Sequence, residues 1–229
     1  MSTPVSERIQ AKGILFDVGH TILFPNPDFF YQLAVQYGAR MPRRDFDHLG
    51  ARCKEKAYRE NPANPYRQWF SEWMIQAGVA SDALPRIYQQ IHDRHRESHL
   101  WDTLEPSIPA IFSELRERGF TLGVVSNADG TVPDMLAELE LDHFFKCIID
   151  SGRVGVEKPD ARIFYMALEA IGLKPDSCVY VGDQPEVDAR GAAAVGITPV
   201  LLDPHWVLPA TEYRRIRKLM ELLDIVEFG

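Results

Sequence analysis

Polar residues stand at the ends of several apolar runs in this chain. Asp17 follows the run ILF, Ser126 and Asn127 follow LGVV, and Asp183 follows CVYVG, with Asp188 five residues further on. Lys158 lies in GVEKPD, just ahead of a helical pattern that starts near residue 161. Carboxylates are hard oxygen donors for a divalent cation and can act as nucleophiles. A lysine and a hydroxyl suit an anionic group. Taken singly, an Asp, Ser or Asn at a strand end commonly caps the next helix or forms a turn. Two carboxylates from different strands, gathered with a lysine and a hydroxyl, would be costly to bury without a shared ion.

Gathering them requires a particular scaffold. The runs KGILFDVG (12–19), FTLGVVSN (120–127), KCIIDS (146–151), CVYVGD (178–183) and ITPVLLD (197–203) are short and continuously apolar, as strands covered on both faces of a parallel sheet are. Between them SIPAIFSELRERG (107–119), VPDMLAELELDHFF (132–145), ARIFYMALEAIG (161–172) and VDARGAAAVG (187–196) carry helical patterns. This alternation predicts an α/β doubly wound parallel sheet, whose carboxyl strand ends collect functional groups. From residue 24 to about 105 no strand is expected, and aromatic and charged residues recur at helical spacing. That stretch is too long for a crossover. It reads as a smaller helical inserted domain (24–105) in a core made of 1–23 and 106–229, with FPNPD and LEP as linkers and NPANPY (61–66) as an internal loop.

With the motifs in view, the chain resembles the haloacid dehalogenase (HAD) superfamily of hydrolases. FDVGHT, VVSN, GVEKPDARIF and VGDQPEVD fall in the order of the four family motifs, and the insertion sits where that family places a helical cap. The resemblance implies that Asp17 is the nucleophile of an aspartyl intermediate. It also implies a Mg2+ ion held by the Asp17 carboxylate, the Gly19 carbonyl and Asp183. Ser126 and the Asn127 amide would bind the transferring phosphoryl oxygens, and Lys158 would offset negative charge on nucleophile and substrate. Asp188 would stand behind them, holding Lys158 or a metal-bound water.

Gly19 departs from the pattern, because phosphatases of the superfamily carry a second aspartate two places after the nucleophile to protonate the leaving oxygen. A backbone carbonyl survives that change; a positioned acid/base, typically worth roughly 10²- to 10⁴-fold in rate, does not. His20 is the candidate replacement, since imidazole titrates near physiological pH. The alternative is that it packs under the cap or caps the loop. A good leaving group, as in an acyl or aryl phosphate, would need less acid assistance. Three other readings stay open: a dehalogenase, which needs no magnesium and carries an aromatic residue at this position; a phosphonate hydrolase with Lys54 or Lys56 as a cap Schiff base; and a weakly catalytic protein that binds a phospho-ligand or a partner.

Composition limits the partners. A net charge of -8 and a pI near 5.4 argue against nucleic acid and still allow an anionic small substrate where a metal or a local cation offsets the repulsion; a small phosphorylated molecule is the substrate that the resemblance implies. No apolar run approaches the roughly 20 residues of a membrane span, and the N-terminal residues show no signal region. Three cysteines without metal-ligand spacing fit a reducing, cytoplasmic setting. Monomer or homodimer is the expected state. His92, His95 and His99 lie at helical spacing but among charges, which reads as a solvated helix rather than a metal face. Phe29, Phe30, Tyr31, Trp69, Phe70 and Trp73 read as cap core and closure surface, some of them lining a substrate pocket. Arg214, Arg215, Arg217 and Lys218 read as the solvated face of a C-terminal helix.

Overall fold

In the computed structural model, which describes residues 8–60, 65–97 and 100–229, the segment GILF forms the strand Gly13–Phe16 at the centre of a six-stranded sheet. Ile14, Leu15 and Phe16 have no solvent exposure, as a strand with neighbours on both edges and helices on both faces requires. The sheet runs Phe145–Asp150, Thr121–Ser126, Gly13–Phe16, Cys178–Gly182, Thr198–Leu202, Arg214–Ile216, and every recorded pairing within it is parallel. The strand of this sheet that comes first in the chain, Gly13–Phe16, is therefore flanked by the second and the fourth of the sheet. That reversal of direction opens a crevice at their carboxyl ends, the topological switch point of a doubly wound fold. Asp17 and Asp183 are the residues that follow the two strands meeting there.

Alternation across the sheet divides the core. Phe16 packs on Phe112, with ring centroids 5.2 Å apart, and on Phe145. On another patch of the sheet, Leu15, Val125 and Tyr180 pack with Ile163, Phe164, Ala167 and Leu168 from the helix Ala161–Ile171. That helix starts at Asp160, whose side chain accepts from the Arg162 amide, and stops at Gly172 in the left-handed region.

The chain divides into two compact units. One takes the described residues up to Ile22 with Leu104–Pro204 and Thr211–Gly229. The other takes Leu23–Thr103 and His205–Ala210. The second is helical: Pro27–Gln36, Arg43–Glu60, Pro65–Gln76 and Leu84–Glu97 enclose a core in which Phe30, Phe46, Trp69, Phe70 and Trp73 are buried. Phe29 and Tyr31 pack partly buried against it. The indoles of Trp69 and Trp73 stack at 9° and donate to the carbonyls of Gly50 and Phe46, so each buried N–H has a partner.

Two expectations are corrected. The connecting segments are not strandless, because Leu23–Phe24 and Thr103–Leu104 pair as a two-stranded sheet. The basic stretch near the C-terminus is not one helix. Arg214–Ile216 is an edge strand beside Thr198–Leu202, and helical turns follow only at Leu219–Glu221 and Leu222–Ile225. The unpaired edge of the neighbouring strand takes up that backbone, and charged side chains keep the new edge from pairing further. Of the expected loop 61–66, residues 61–64 lie outside the described residues, while Pro65 and Tyr66 open a helix.

Candidate active site

Lys158 is the hub of the strand-end cluster. Its ammonium donates to Asp17 Oδ1 at 2.6 Å, to Asp188 Oδ1 at 2.7 Å and to the Tyr180 hydroxyl at 2.9 Å. Lysine has three N–H donors, and these three acceptors saturate it. Lys158, Asp17, Tyr180 and Asp188 are all buried. The Tyr180 hydroxyl sits 2.8 Å from the Val125 carbonyl, to which it donates, and so presents its lone pairs to the lysine.

Each partner is held in turn by backbone. Asp17 donates its amide to the Val181 carbonyl at 2.8 Å, continuing the strand pairing one residue past Phe16. Asp188 Oδ2 accepts from the amides of Asp183 and Gln184 at 3.1 and 2.9 Å. It comes this close because residue 182 is glycine, where a Cβ would lie 2.5 Å from the Asp188 carboxyl carbon. Pro185–Ala189, a wide helical turn of the π type, carries Asp188 back under the strand end, and Arg190–Ala194 continues as α-helix. The loop bearing Lys158 is clamped from the neighbouring strand end. The Asn127 side chain accepts from the Lys158 amide at 2.7 Å and donates to its carbonyl at 3.0 Å. These two bonds fix the Asn127 side chain against the Lys158 loop.

Ser126 is buried at the end of its strand, and the loop after it is fixed by Asp150 and Ser151. The Asp150 carboxylate accepts from the amides of Gly130, Val132 and Gly152, and the Ser151 hydroxyl bonds the Ala128 amide and carbonyl. His20 sits in a tight turn closed by bonds from the Thr21 and Ile22 amides to the Val18 carbonyl. Its backbone has φ 58, a left-handed conformation that histidine tolerates better than most non-glycine residues.

Carboxylate oxygens of Asp17, Asp183 and Asp188 lie within 4.8 Å of one another, the one such metal-competent cluster among the described residues. Burial raises the Asp17 carboxyl to about 7; Lys158 opposes that rise, while Asp188 and Asp183 add to it. Burial would lower the Lys158 ammonium, but the Asp17 and Asp188 carboxylates outweigh it and hold the group well above its usual value. With all three carboxylates ionised against one ammonium, the site is two positive charges short. A divalent cation with oxygen ligands fits that donor set. Asp188 spends both oxygens on Lys158 and two amides, so Asp17 and Asp183 are the pair with capacity for an ion.

Tyr180 lies inside its strand and escapes a reading by strand ends, whereas Asp150 and Ser151 end the run KCIIDS and could have been found by that rule. A phenol within the apolar run CVYVG was the available signal, since a buried hydroxyl needs a partner. His92 is exposed and outside any such cluster, His95 belongs to the helical unit, and His99 lies outside the described residues. Lys56 is half-exposed and paired with Glu72 at 3.0 Å; the bond it donates to the Glu72 carboxylate raises it above its usual value, opposite to what a Schiff-base lysine needs.

The sequence profile of a family described as haloacid dehalogenase-like hydrolase matches residues 11–196. A phosphoserine phosphatase of Thermus thermophilus is 35% identical over 146 residues, covering 62% of this chain and 56% of that protein. A glyceraldehyde 3-phosphate phosphatase of Methanopyrus kandleri is 38% identical over 96 residues, covering 42% of this chain and 41% of that protein. The chain thus spans about half the length of these two curated relatives. Among solved structures, a HAD phosphatase from Thermococcus onnurineus superposes with a TM-score of 0.61 at 24% identity, covering 93% of this chain and 97% of its own, a likeness of fold.

Proposed function

Because this chain belongs to the haloacid dehalogenase-like hydrolases, we propose that it is a phosphatase of small phosphorylated molecules in which Asp17 is the nucleophile. The observation that carries the reading is the saturated Lys158, which fixes one Asp17 oxygen and leaves the other for attack. In the first step Asp17 bonds to phosphorus as the bond to the leaving oxygen breaks. Water then hydrolyses the aspartyl phosphate, releasing phosphate and restoring the carboxylate. Ser126 and the Asn127 amide bind the phosphoryl oxygens, and Lys158 offsets the charge that builds on them. Asp188 positions Lys158. Asp17, the Gly19 carbonyl and Asp183 would hold a magnesium ion, which would supply the missing positive charge and Lewis acidity toward the phosphoryl group. The parallel-sheet unit is the catalytic core, and the helical unit is the cap that selects the substrate.

Gly19 has no side chain to protonate the leaving oxygen. His20, the next residue, is the proposed acid, and substrates with good leaving groups are favoured. The names of the two relatives support phosphate monoesters as the first class to test.

The test is hydrolysis of a panel of phosphate monoesters and acyl phosphates, with magnesium or with chelator, by wild type, Asp17→Asn and His20→Asn. Turnover should need magnesium and fall by on the order of 10³-fold or more in Asp17→Asn. His20→Asn, which keeps a side chain tolerant of the left-handed backbone, should lose the basic limb of the pH profile for slow-leaving alcohols and change acyl phosphates little. Halide release that survives chelation would replace the phosphatase reading with a dehalogenase one. Ligand affinity preserved in Asp17→Asn, without turnover by wild type, would replace it with a binding protein.

A further inference from the structure

The helical unit contains a cleft of about 920 Å³ that the proposed chemistry does not use. All of its lining residues belong to Leu23–Thr103. Phe30, Trp69 and Phe70 are buried beneath it, and Tyr66 and Trp101 stand at its more exposed wall. The floor is preformed: Phe30 and Phe70 pack with centroids 5.7 Å apart, Phe70 and Tyr88 at 5.4 Å, and the Tyr88 hydroxyl is bonded to Ser71. Clefts of roughly 300–1,000 Å³ lined by aromatic groups with a few polar ones hold small ligands.

The charge of the wall narrows the class. Arg67 is among the lining residues, whereas no aspartate or glutamate is, in a chain of net charge -8. Arg67 is an exposed residue, and it makes no ion pair with a described carboxylate. We propose that this cleft is a binding site for a flat aromatic anion, its ring on the Phe30, Trp69 and Phe70 surface and its acidic group on Arg67. Arginine presents a planar fork of donors that matches such a group.

Calorimetric titration of the full chain with 1-naphthoate and with neutral 1-naphthol tests it, with the fluorescence of Trp69 and Trp101 as a second readout. Wild type should bind naphthoate saturably and more tightly than naphthol. Arg67→Gln, at an exposed position, should weaken naphthoate by about tenfold or more and leave naphthol unchanged, as loss of a charge-assisted hydrogen bond does. Leu84→Phe, which fills the cleft, should weaken both. Asp17→Asn should bind as wild type does, so that failure of the phosphatase reading would not touch this one. Absence of saturable binding, equal affinity for the two probes, or an Arg67→Gln protein that still binds naphthoate at full strength would overturn the site. Loss of naphthoate binding in Asp17→Asn would move the ligand to the carboxylates and overturn it equally.

Discussion

At the residue scale the unexpected participant is Tyr180. Lys158 has three protons to place, and the phenol is the third acceptor, itself oriented by the Val125 carbonyl. Tyr180→Phe keeps the ring that packs on Phe164, at 5.3 Å between centroids, and removes only the oxygen. One buried N–H of Lys158 is then unsatisfied, which costs about 1–3 kcal/mol. The ammonium gains freedom to swing off Asp17. We expect stability in denaturant to fall by that amount and kcat to fall about tenfold with KM little changed, since in the proposed mechanism the lysine acts on charge that develops in the reaction. A variant with wild-type kcat and lower stability would make Tyr180 a packing residue alone.

At the scale of elements, the strand Cys178–Gly182 and the wide turn after it must approach closely enough for Asp188 to reach both Lys158 and the turn amides. Gly182→Ala would place a methyl against the Asp188 carboxyl. The motif VGDQPEVD therefore has a glycine for a steric reason, and the substitution should destabilise by about 1–3 kcal/mol through forced displacement of the turn. Unfolding in urea measures that cost. Unchanged stability would mean that the turn yields freely. Much of this level is legible in the chain. Buried parallel strands are continuous apolar runs, so their polar ends announced Asp17, Ser126, Asp183 and Asp188, and Asp17, Lys158 and Asp188 do lie in hydrogen-bond contact through the lysine. Where the signal was short or mixed it failed. The three residues Arg214–Ile216 become a strand only because a neighbouring edge is open, a fact of tertiary structure that the arginines' spacing conceals. His205–Ala210 falls with the helical unit for the same kind of reason, since a return of six residues leaves no periodicity to read. Tyr180 looked like any strand aromatic, because its hydroxyl's partners come from positions 125 and 158.

At the scale of the whole molecule, the buried charge of the site is linked to folding. Asp17 has a carboxyl raised to about 7 in the fold, from 3.8 for the ordinary side chain. Between those values the folded protein holds a proton that the unfolded chain has released. Stability in chelator must therefore fall as pH rises from about 4 to about 7, by at most about 1.4 kcal/mol per pH unit from this group, and level off above. The raised ammonium of Lys158 titrates far above that window and leaves the slope alone. Asp17→Asn removes the titrating group, so its stability should pull ahead of wild type as pH rises through the window. A bound divalent cation favours the ionised carboxylate, so excess magnesium should flatten the wild-type curve and raise its midpoint of unfolding with concentration. Thermal unfolding of wild type and Asp17→Asn from pH 5 to 8, with chelator and with magnesium, measures both effects. Parallel curves for the two proteins in chelator would mean that Asp17 is ionised without a cation, and that Lys158 alone suffices to neutralise it.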